Sequence, residues 1–367
     1  MRSAILSTLL FLSGMAVISL AEEFNNVQYL CADWGPAIKI PTKVGDKPQF
    51  SDTEEVYFLK QVGRFTRKKR VVPDLLSGSK TEDVGRSISI YLCKMKPDGT
   101  EKTEIKELWK NPNFPIDTQG QSTWMDVNEK TRKIALAIAY AGNEITGLWT
   151  MNLDGSDLKR IITPAVVTDQ YLQAINHPSW TPDGQWIVLE EELRGMNPNR
   201  YNIARCDDKG GNFKRLLEAS TKEQYIQPSV SPDGKLIAFT KISDGYQRWI
   251  WLMNFDGSDA HPLGGKQSLS TWGDWPAWSL DGKRIYALSA GIIDATSGQV
   301  VNDRRPLLNG ESWAAECAHW GRLGLLGSAT GFRITLTDSE MQTVKLLAAS
   351  ILEEVGAAPP KSPGGAR

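Results

Sequence analysis

The chain has 367 residues, of which 41% are hydrophobic and 23% are charged, a composition that supports a folded core. The 42 Lys and Arg residues balance 43 Asp and Glu residues, and the formal charge of −1 gives no basis for binding nucleic acid. The length does not require several domains, because all-β propellers run long as one domain.

Residues 1–21 have the features of a signal peptide. Arg2 supplies a positive start, residues 4–20 carry no charge, and Ser19-Leu20-Ala21 fits a small-residue cleavage pattern. The apolar run is slightly short for a membrane span, so an uncleaved anchor is the less favoured alternative. We therefore expect an exported chain that begins at Glu22 and has no membrane span.

A repeat of about 50 residues follows. The segment PSWTPDG at 178–184 recurs as PSVSPDG at 228–234 and as PAWSLDG at 276–282, with spacings of 50 and 48 residues. Weaker copies lie near residues 48, 122 and 318. All six copies share an anchor position, which is occupied by Phe50, Trp124, Trp180, Val230, Trp278 and Trp320.

Each copy predicts four short strands. The apolar runs are rich in Ile, Val, Trp and Tyr, and Asp-Gly turns such as those at 183–184 and 256–257 punctuate them. Radial repetition of such units is typical of propellers, so we predict an all-β fold, a single six-bladed β-propeller of four-stranded antiparallel blades over residues 48–347. Residues 22–47 form an N-terminal segment with a candidate ring-closing strand. Residues 339–355 fit a last strand or a helix equally, and the tail of 348–367 ends in predicted disorder.

The strings PSWTPDGQWIVL and WLMNFDGSD resemble the TolB-type propeller repeat. The resemblance covers residues 48–347 and is strongest in the units anchored at Trp180, Val230 and Trp278. It implies a six-bladed propeller, often periplasmic. Full TolB proteins carry an α/β domain before the propeller, whereas only about 26 mature residues precede Pro48 here.

The four cysteines lack zinc-ligand spacing. Cys93 and Cys206 fall in non-adjacent predicted blades, which excludes a bond between them. Cys31 follows the candidate ring-closing strand and Cys317 precedes the last anchor. We predict that any disulfide joins these two.

The predicted turns separate the molecule into two faces. Both kinds of Asp-Gly turn fall on one face, so the long irregular connections collect on the other, where function concentrates. That loop-rich face is predicted to bind a partner through Trp272, Trp275, Trp313, Arg248 and Glu316. The insertion at 60–86, with its basic run 67–70, is predicted to be a solvated loop. His177 and His319, next to anchors, are interpreted as structural.

These patterns favour a non-catalytic binding or scaffold propeller that is periplasmic or secreted. The expected partner is a protein or an envelope-associated ligand, the expected state is a monomer, and no catalytic residue, cofactor or metal is predicted. The alternative is a polysaccharide lyase or hydrolase on the same face, with Arg248 neutralising a uronate and Glu316 as base.

Overall fold

The computed structural model describes residues 19–34, 55–70, 80–111, 122–139, 145–168, 171–243, 247–265, 273–288, 290–303, 307–308, 311–312, 316–321, 324–329, 333–337, 344–349 and 351–354. Within these ranges the chain is all β, with 28 strands and no helix. Consequently none of the described residues belongs to a helix that would be long and apolar enough to cross a membrane.

The first two sheets contain the N-terminal strands. The first sheet has the order β28-β1-β2-β3-β4, with strands β1 (Ser19–Trp34), β2 (Val56–Arg70), β3 (Lys80–Met95), β4 (Thr103–Asn111) and β28 (Ile351–Glu354). The second sheet runs in chain order through β5 (Ser122–Asn128), β6 (Lys133–Ala139), β7 (Gly147–Asn152) and β8 (Lys159–Ile162).

The next three sheets contain the strongest repeats. The third comprises β9 (Val166–Thr168), β10 (Tyr171–Trp180), β11 (Trp186–Arg194), β12 (Arg200–Asp207) and β13 (Lys214–Leu217). The fourth comprises β14 (Gln224–Val230), β15 (Leu236–Ser243), β16 (Gln247–Asn254) and β17 (His261–Pro262). The fifth comprises β18 (Asp274–Trp278), β19 (Arg284–Leu288), β20 (Gly291–Asp294) and β21 (Val300–Asn302).

The last part of the chain forms a ribbon and the sixth sheet. The ribbon pairs β22 (Leu307–Leu308) with β23 (Glu311–Ser312). The sixth sheet comprises β24 (Glu316–Gly321), β25 (Gly324–Ala329), β26 (Arg333–Thr337) and β27 (Val344–Ala349). Every strand pair among the described residues is antiparallel, as expected for strands joined by tight turns.

The six larger sheets are arranged in a closed ring. Their innermost strands β1, β5, β10, β14, β18 and β24 contact one another in that order, and β24 contacts β1. This arrangement is a β-propeller, so the predicted all-β propeller class is confirmed. The innermost strands surround a central channel and therefore position the site described below.

The Asp-Gly turns form as the repeats predict. At residues 181–186 the N–H of Gly184 donates to the carbonyl of Thr181, and Asp183 Oδ1 accepts the Thr181 hydroxyl at 2.6 Å. The turns at 231–236 and 279–284 repeat these bonds. Gly184 has a φ of 71°, a conformation that glycine adopts without steric cost.

Two predicted anchors pack between neighbouring sheets. Trp180 is 5% exposed and lies against Ala135 and Leu148 of the second sheet. Trp278 is 7% exposed and packs with the fourth sheet, donating its Nε1–H to the Ser229 carbonyl at 3.0 Å. Burying such large rings between sheets is a main source of stability in this architecture.

The first two sheets depart from the predicted alignment. Val127 pairs with Ile134 next to the turn, as the anchors do in the third to fifth sheets, so Trp124 lies three residues earlier. Trp34 holds the corresponding position in the first sheet, opposite Val56. Phe50 lies outside the described residues. The sequence around Trp124 resembles the repeat, but no Pro-Asp-Gly turn follows it to fix the register.

The structure corrects the sequence interpretation of one segment and decides between two interpretations of another. The predicted loop at 60–86 is wrong, because 56–70 and 80–95 form the long hairpin β2–β3, which continues along β1 through Ser19↔Arg70. Cross-strand pairing thus extends through the basic run. Residues 344–349 and 351–354 form β27 and β28, which favours the strand interpretation over the helix.

The Cys31–Cys317 disulfide, which the sequence left open, does not form. Cys31 is a free thiol, 3% exposed, in a core cluster with Met125 and Ile134 of the second sheet, whereas Cys317 lies on β24 of the sixth sheet. Burial raises the pKa of the Cys31 thiol well above its usual range. Cys93 and Cys206 are also free, as predicted.

Candidate functional site

Six residues occupy the same position on the six innermost strands, immediately before the anchor position of each strand. We call this set the lower tier, and its members are Asp33, Asp126, Ser179, Ser229, Ala277 and His319. Several of these side chains bind the next sheet. The N–H of Val127 donates to Asp33 Oδ2 at 2.5 Å, and the N–H of Trp180 donates to Asp126 Oδ2 at 2.6 Å. Ser179 Oγ accepts the N–H of Val230 at 3.0 Å.

Three members of the lower tier meet where the ring closes. His319 Nδ1 lies 3.2 Å from Asp33 Oδ1 and 3.6 Å from Asp126 Oδ1. One nitrogen or oxygen from each residue lies within 4.8 Å of the other two. Burial, with a further contribution from the Asp33 carboxylate, raises the pKa of Asp126 to about 7, and burial lowers the pKa of His319.

A second group lies nearer the start of the innermost strands. It consists of the rings of Trp124, His177 and Trp275, which we call the ring cluster. The centroid of Trp124 lies 4.2 Å from that of His177 and 5.1 Å from that of Trp275, and the centroids of His177 and Trp275 are 4.8 Å apart. Trp124 belongs to the second sheet and Trp275 to the fifth, which lies opposite in a ring of six. The rings therefore meet across the central channel.

Repeated β-bulges direct side chains into this level. The register of β10, β14 and β18 shifts by one residue at His177, Gln227 and Trp275, and each of these residues has a positive φ, of 46°, 56° and 56°. Non-glycine residues rarely adopt this conformation, and bulges commonly re-aim side chains next to functional sites. The second sheet, where β5 pairs without a shift, places Trp124 at this level directly.

A buried polar relay fixes the bulges. Glu190 Oε2 accepts the N–H of Gln227 at 3.0 Å and lies 2.9 Å from His177 Nδ1. Gln227 Oε1 accepts the N–H of Trp275 at 3.0 Å and the Thr240 hydroxyl at 2.9 Å. The relay links the third, fourth and fifth sheets.

Two nitrogen atoms of the ring cluster are buried without a hydrogen-bond partner, Trp124 Nε1 and His177 Nε2. Buried polar atoms are normally paired, so such atoms need an explanation. With Glu190 accepting at Nδ1, His177 presents Nε2 as an acceptor, while Trp124 presents a donor. The cluster therefore offers apolar ring faces together with one donor and one acceptor.

The predicted partner-binding residues lie in different places. Trp275 lies in β18, within the ring cluster, and not in a loop. Arg248 of β16 forms an ion pair with Asp274, the residue before Trp275. Burial raises the pKa of Asp274, and Arg248 opposes that rise. Glu316 belongs to β24 and pairs with Ser328 through its backbone. The side chain of Glu316, together with Trp272 and Trp313, lies outside the described residues.

Sequence reasoning missed most of this site. His177 and His319 were interpreted as structural, whereas His177 has one unpaired nitrogen and His319 meets two carboxylates. Asp33 and Asp126 were not recognised. The signal available in the sequence is positional, since each of these carboxylates lies immediately before the anchor position of its strand, Trp34 or Val127.

The known proteins that resemble this chain share little sequence identity with it. No protein-family model matches the chain. A Bacillus subtilis protein described as "uncharacterized peptidase YuxL" is 23% identical over 149 residues, which is 40% of this chain. The matched stretch spans only about a fifth (21%) of the length of that curated relative.

TolB structures are among the structural neighbours, which agrees with the resemblance that the repeats suggest. TolB from Acinetobacter baumannii is 14% identical with a TM-score of 0.45, covering 81% of this chain and 79% of that one. An oligogalacturonate lyase from Vibrio parahaemolyticus is 10% identical with a TM-score of 0.42, covering 87% and 97%. A puromycin-hydrolysing peptidase from Mycobacterium tuberculosis is 16% identical with a TM-score of 0.43, covering 85% and 53%. The fold assignment rests on the sheet order of this chain itself.

Proposed function

We propose that the protein is a non-catalytic binding propeller that takes a segment of a protein partner at the loop-rich mouth of its channel. The observation that carries the proposal is the ring cluster, in which Trp124, His177 and Trp275 converge from three sheets and retain two unpaired buried nitrogens. Aromatic rings with a few placed polar atoms are typical of ligand sites and interface hot spots.

The position of the cluster suits a ligand arriving from that face. Trp275 is the second residue of β18 and Trp124 the third of β5, so both lie where the connections from the preceding sheets enter. A peptide backbone carries both a carbonyl, which can accept from Trp124 Nε1, and an N–H, which can donate to His177 Nε2. An extended peptide segment therefore matches the cluster in shape and in polarity.

The test uses a peptide selected on the wild-type protein from a displayed library. Trp275→Ala should weaken binding of that peptide about 30-fold, which corresponds to a hot spot of about 2 kcal/mol. The matched control is Trp186→Ala, since Trp186 lies next to an Asp-Gly turn and stacks near Phe255 and Arg205. Equal affinities of the two variants, at matched folded concentration, would place the site elsewhere.

A second candidate function is an enzyme acting on polysaccharide, and the His177–Glu190 pair favours it. A carboxylate that holds Nδ1 leaves Nε2 available to exchange a proton, as a general acid or base requires. Incubation with acidic polysaccharides should then yield unsaturated products with the wild type but not with His177→Gln. Absence of product from the wild type excludes a lyase on the substrates tested. Arg248 fits the uronate-neutralising role poorly, because Asp274 already pairs with it.

Export is part of the proposal, with the protein acting as a periplasmic or secreted monomer. Its support is Arg2, the apolar run of 4–20 and the Ser19-Leu20-Ala21 pattern. Ser19–Ala21 form the first pairs of β1, and cleavage after Ala21 leaves the pairs from Glu22↔Arg67 onward. N-terminal sequencing of exported protein should start at Glu22, and an intact Met1 would contradict this.

A further inference from the structure

The meeting of Asp33, Asp126 and His319 has the features of a built site. The three residues come from the first, second and sixth sheets, which are neighbours in the ring, and all three hold the lower-tier position. Their side chains are 7%, 15% and 23% exposed. The remaining lower-tier positions carry Ser179, Ser229 and Ala277, so this group of side chains is confined to one side of the channel.

The orientation of the two carboxylates is fixed from behind. Oδ2 of Asp33 accepts the N–H of Val127, and Oδ2 of Asp126 accepts the N–H of Trp180, both within 2.6 Å. Each aspartate consequently directs Oδ1 towards the other and towards His319 Nδ1. Hydrogen bonds that hold the second oxygen of a carboxylate are the usual support of metal ligands.

Two other buried carboxylates are neutralised by an arginine. Glu191 and Asp274 are each paired with an arginine, Arg215 and Arg248. Asp33 and Asp126 both lie beside the imidazole of His319. Two carboxylates in low dielectric repel each other, and a cation placed between them removes that cost.

We propose that Asp33, Asp126 and His319 bind one divalent transition-metal ion. Two carboxylate oxygens and one imidazole nitrogen match the ligand preferences of Zn²⁺ and Mn²⁺. The three ligand atoms lie within 4.8 Å of one another, a spread that an ion with bond lengths of about 2.0–2.2 Å spans after small side-chain adjustments. Three protein ligands leave at least one coordination position open.

The open position would be reachable from the ring cluster. Trp124 and Asp126 are two residues apart on β5 and therefore point to the same side of the strand, about 7 Å apart along it. A ligand that passes the rings would reach an ion on the lower tier. The proposal does not depend on the proposed function, because the ion site stands on its own side chains.

The test titrates ZnCl₂ and MnCl₂ separately into the purified protein after EDTA treatment and dialysis, with calorimetry and melting temperature as readouts. The wild type should bind one ion per chain and melt at a higher temperature with saturating metal, because an ion that binds only the folded state stabilises it. Asp126→Asn keeps an oxygen for the Trp180 N–H, and His319→Gln keeps a polar side chain. Each should weaken binding at least tenfold and abolish the metal-dependent rise.

Two control variants accompany the titrations, and two results would overturn the proposed metal site. His261→Gln and Asp183→Asn alter a histidine on β17 and an aspartate in an exposed turn, and both should bind metal as the wild type does. Saturable binding that persists in Asp126→Asn and His319→Gln would place the ion elsewhere and overturn the proposal. So would the absence of binding to a folded wild type.

Discussion

Glu191 is fully buried, yet its carboxylate is held in the charged form by neighbours on three strands. Arg215 donates to both oxygens, at 2.5 Å and 3.0 Å, and Gln173 and Asn202 add bonds of 2.7 Å and 2.9 Å. Burial alone would raise the pKa of Glu191, but these bonds outweigh it and hold that pKa below its usual 4.5. The buried charge is thus stable only while its partners remain.

Arg215→Gln should lower the free energy of unfolding by about 2–3 kcal/mol, since it leaves a buried carboxylate without its cation. The value lies below that for a fully buried pair because the Arg215 side chain is 38% exposed. Arg194→Gln is the matched control. Arg194 is 45% exposed and donates to Glu192, which Asn199 and Tyr201 also bind, so its loss should cost under about 1 kcal/mol. Urea unfolding of both variants checks this, and equal losses would contradict it.

The same carboxylate should make stability depend on pH. The folded state keeps Glu191 ionised to a lower pH than the unfolded chain does, so its contribution is present above pH 4.5 and is lost as the pH falls through the lowered pKa. Relative to Glu191→Gln, the wild type should lose its advantage in unfolding free energy below pH 4.5. Denaturant unfolding at intervals between about pH 7 and pH 3 measures this, and a constant difference would refute the role of Glu191.

At the scale of the strands and turns, contact between sheets depends on glycine at particular turns. Gly210 lies in the β12–β13 turn with a φ of 81°, and a Cβ there would lie 2.0 Å from the carbonyl oxygen of Ile161 in the preceding sheet. Gly234 lies in the β14–β15 turn with a φ of 73°, and the nearest atom to its Cβ would be Pro182 Cδ at 3.4 Å. The two glycines share the backbone conformation and differ in the space around them.

Gly210→Ala should therefore destabilise the protein more than Gly234→Ala. Both substitutions carry about 1–2 kcal/mol of left-handed backbone strain. Gly210→Ala adds an overpacking cost of about 1–3 kcal/mol, because the two sheets must move apart. Chemical denaturation of the two variants gives the comparison. Equal midpoints would show that the turn yields without disturbing the sheet contact.

Local signals explain which strands could be predicted from the sequence. The third to fifth sheets carry Pro-Asp-Gly or Leu-Asp-Gly turns, whose residue types fix the reversal and so the register of the strands beside it. The second sheet lacks such a turn, and similarity around Trp124 placed the anchor three residues too early. Cross-strand pairing decided the register there.

The site was less predictable because it depends on geometry between sheets. Trp275 was correctly singled out but assigned to a loop, since a one-residue bulge leaves no mark in the sequence. Asp33, Asp126 and His319 lie far apart along the chain, and only the closed ring brings them together. The sequence thus predicts the strands and one residue of the ring cluster, whereas the lower tier follows from the structure.

In the whole molecule, the two ends of the described chain meet in one sheet. Strand β1 lies between β2 and β28, and residues 24–27 pair with residues 351–354. The first sheet therefore takes four strands, β1 to β4, from the N-terminal part and one strand, β28, from the C-terminal part. This pairing adds to the packing of β1 against β24, which also joins the first and sixth sheets.

A chain that ends at Ala349 tests how much the strand from the C-terminal part contributes. It lacks β28, and the loss of the backbone hydrogen bonds between β28 and β1, about 2 kcal/mol net, should lower the melting temperature by about 3 °C for a chain of this size. The ring should stay folded, because β1 keeps β2 as a partner and still packs against β5 and β24. A chain that ends at Val355 keeps β28 and is the control. If the shorter chain has the same melting temperature as the control, pairing with β28 does not stabilise the ring. If the shorter chain fails to fold, closure of the ring depends on β28 rather than on the innermost strands.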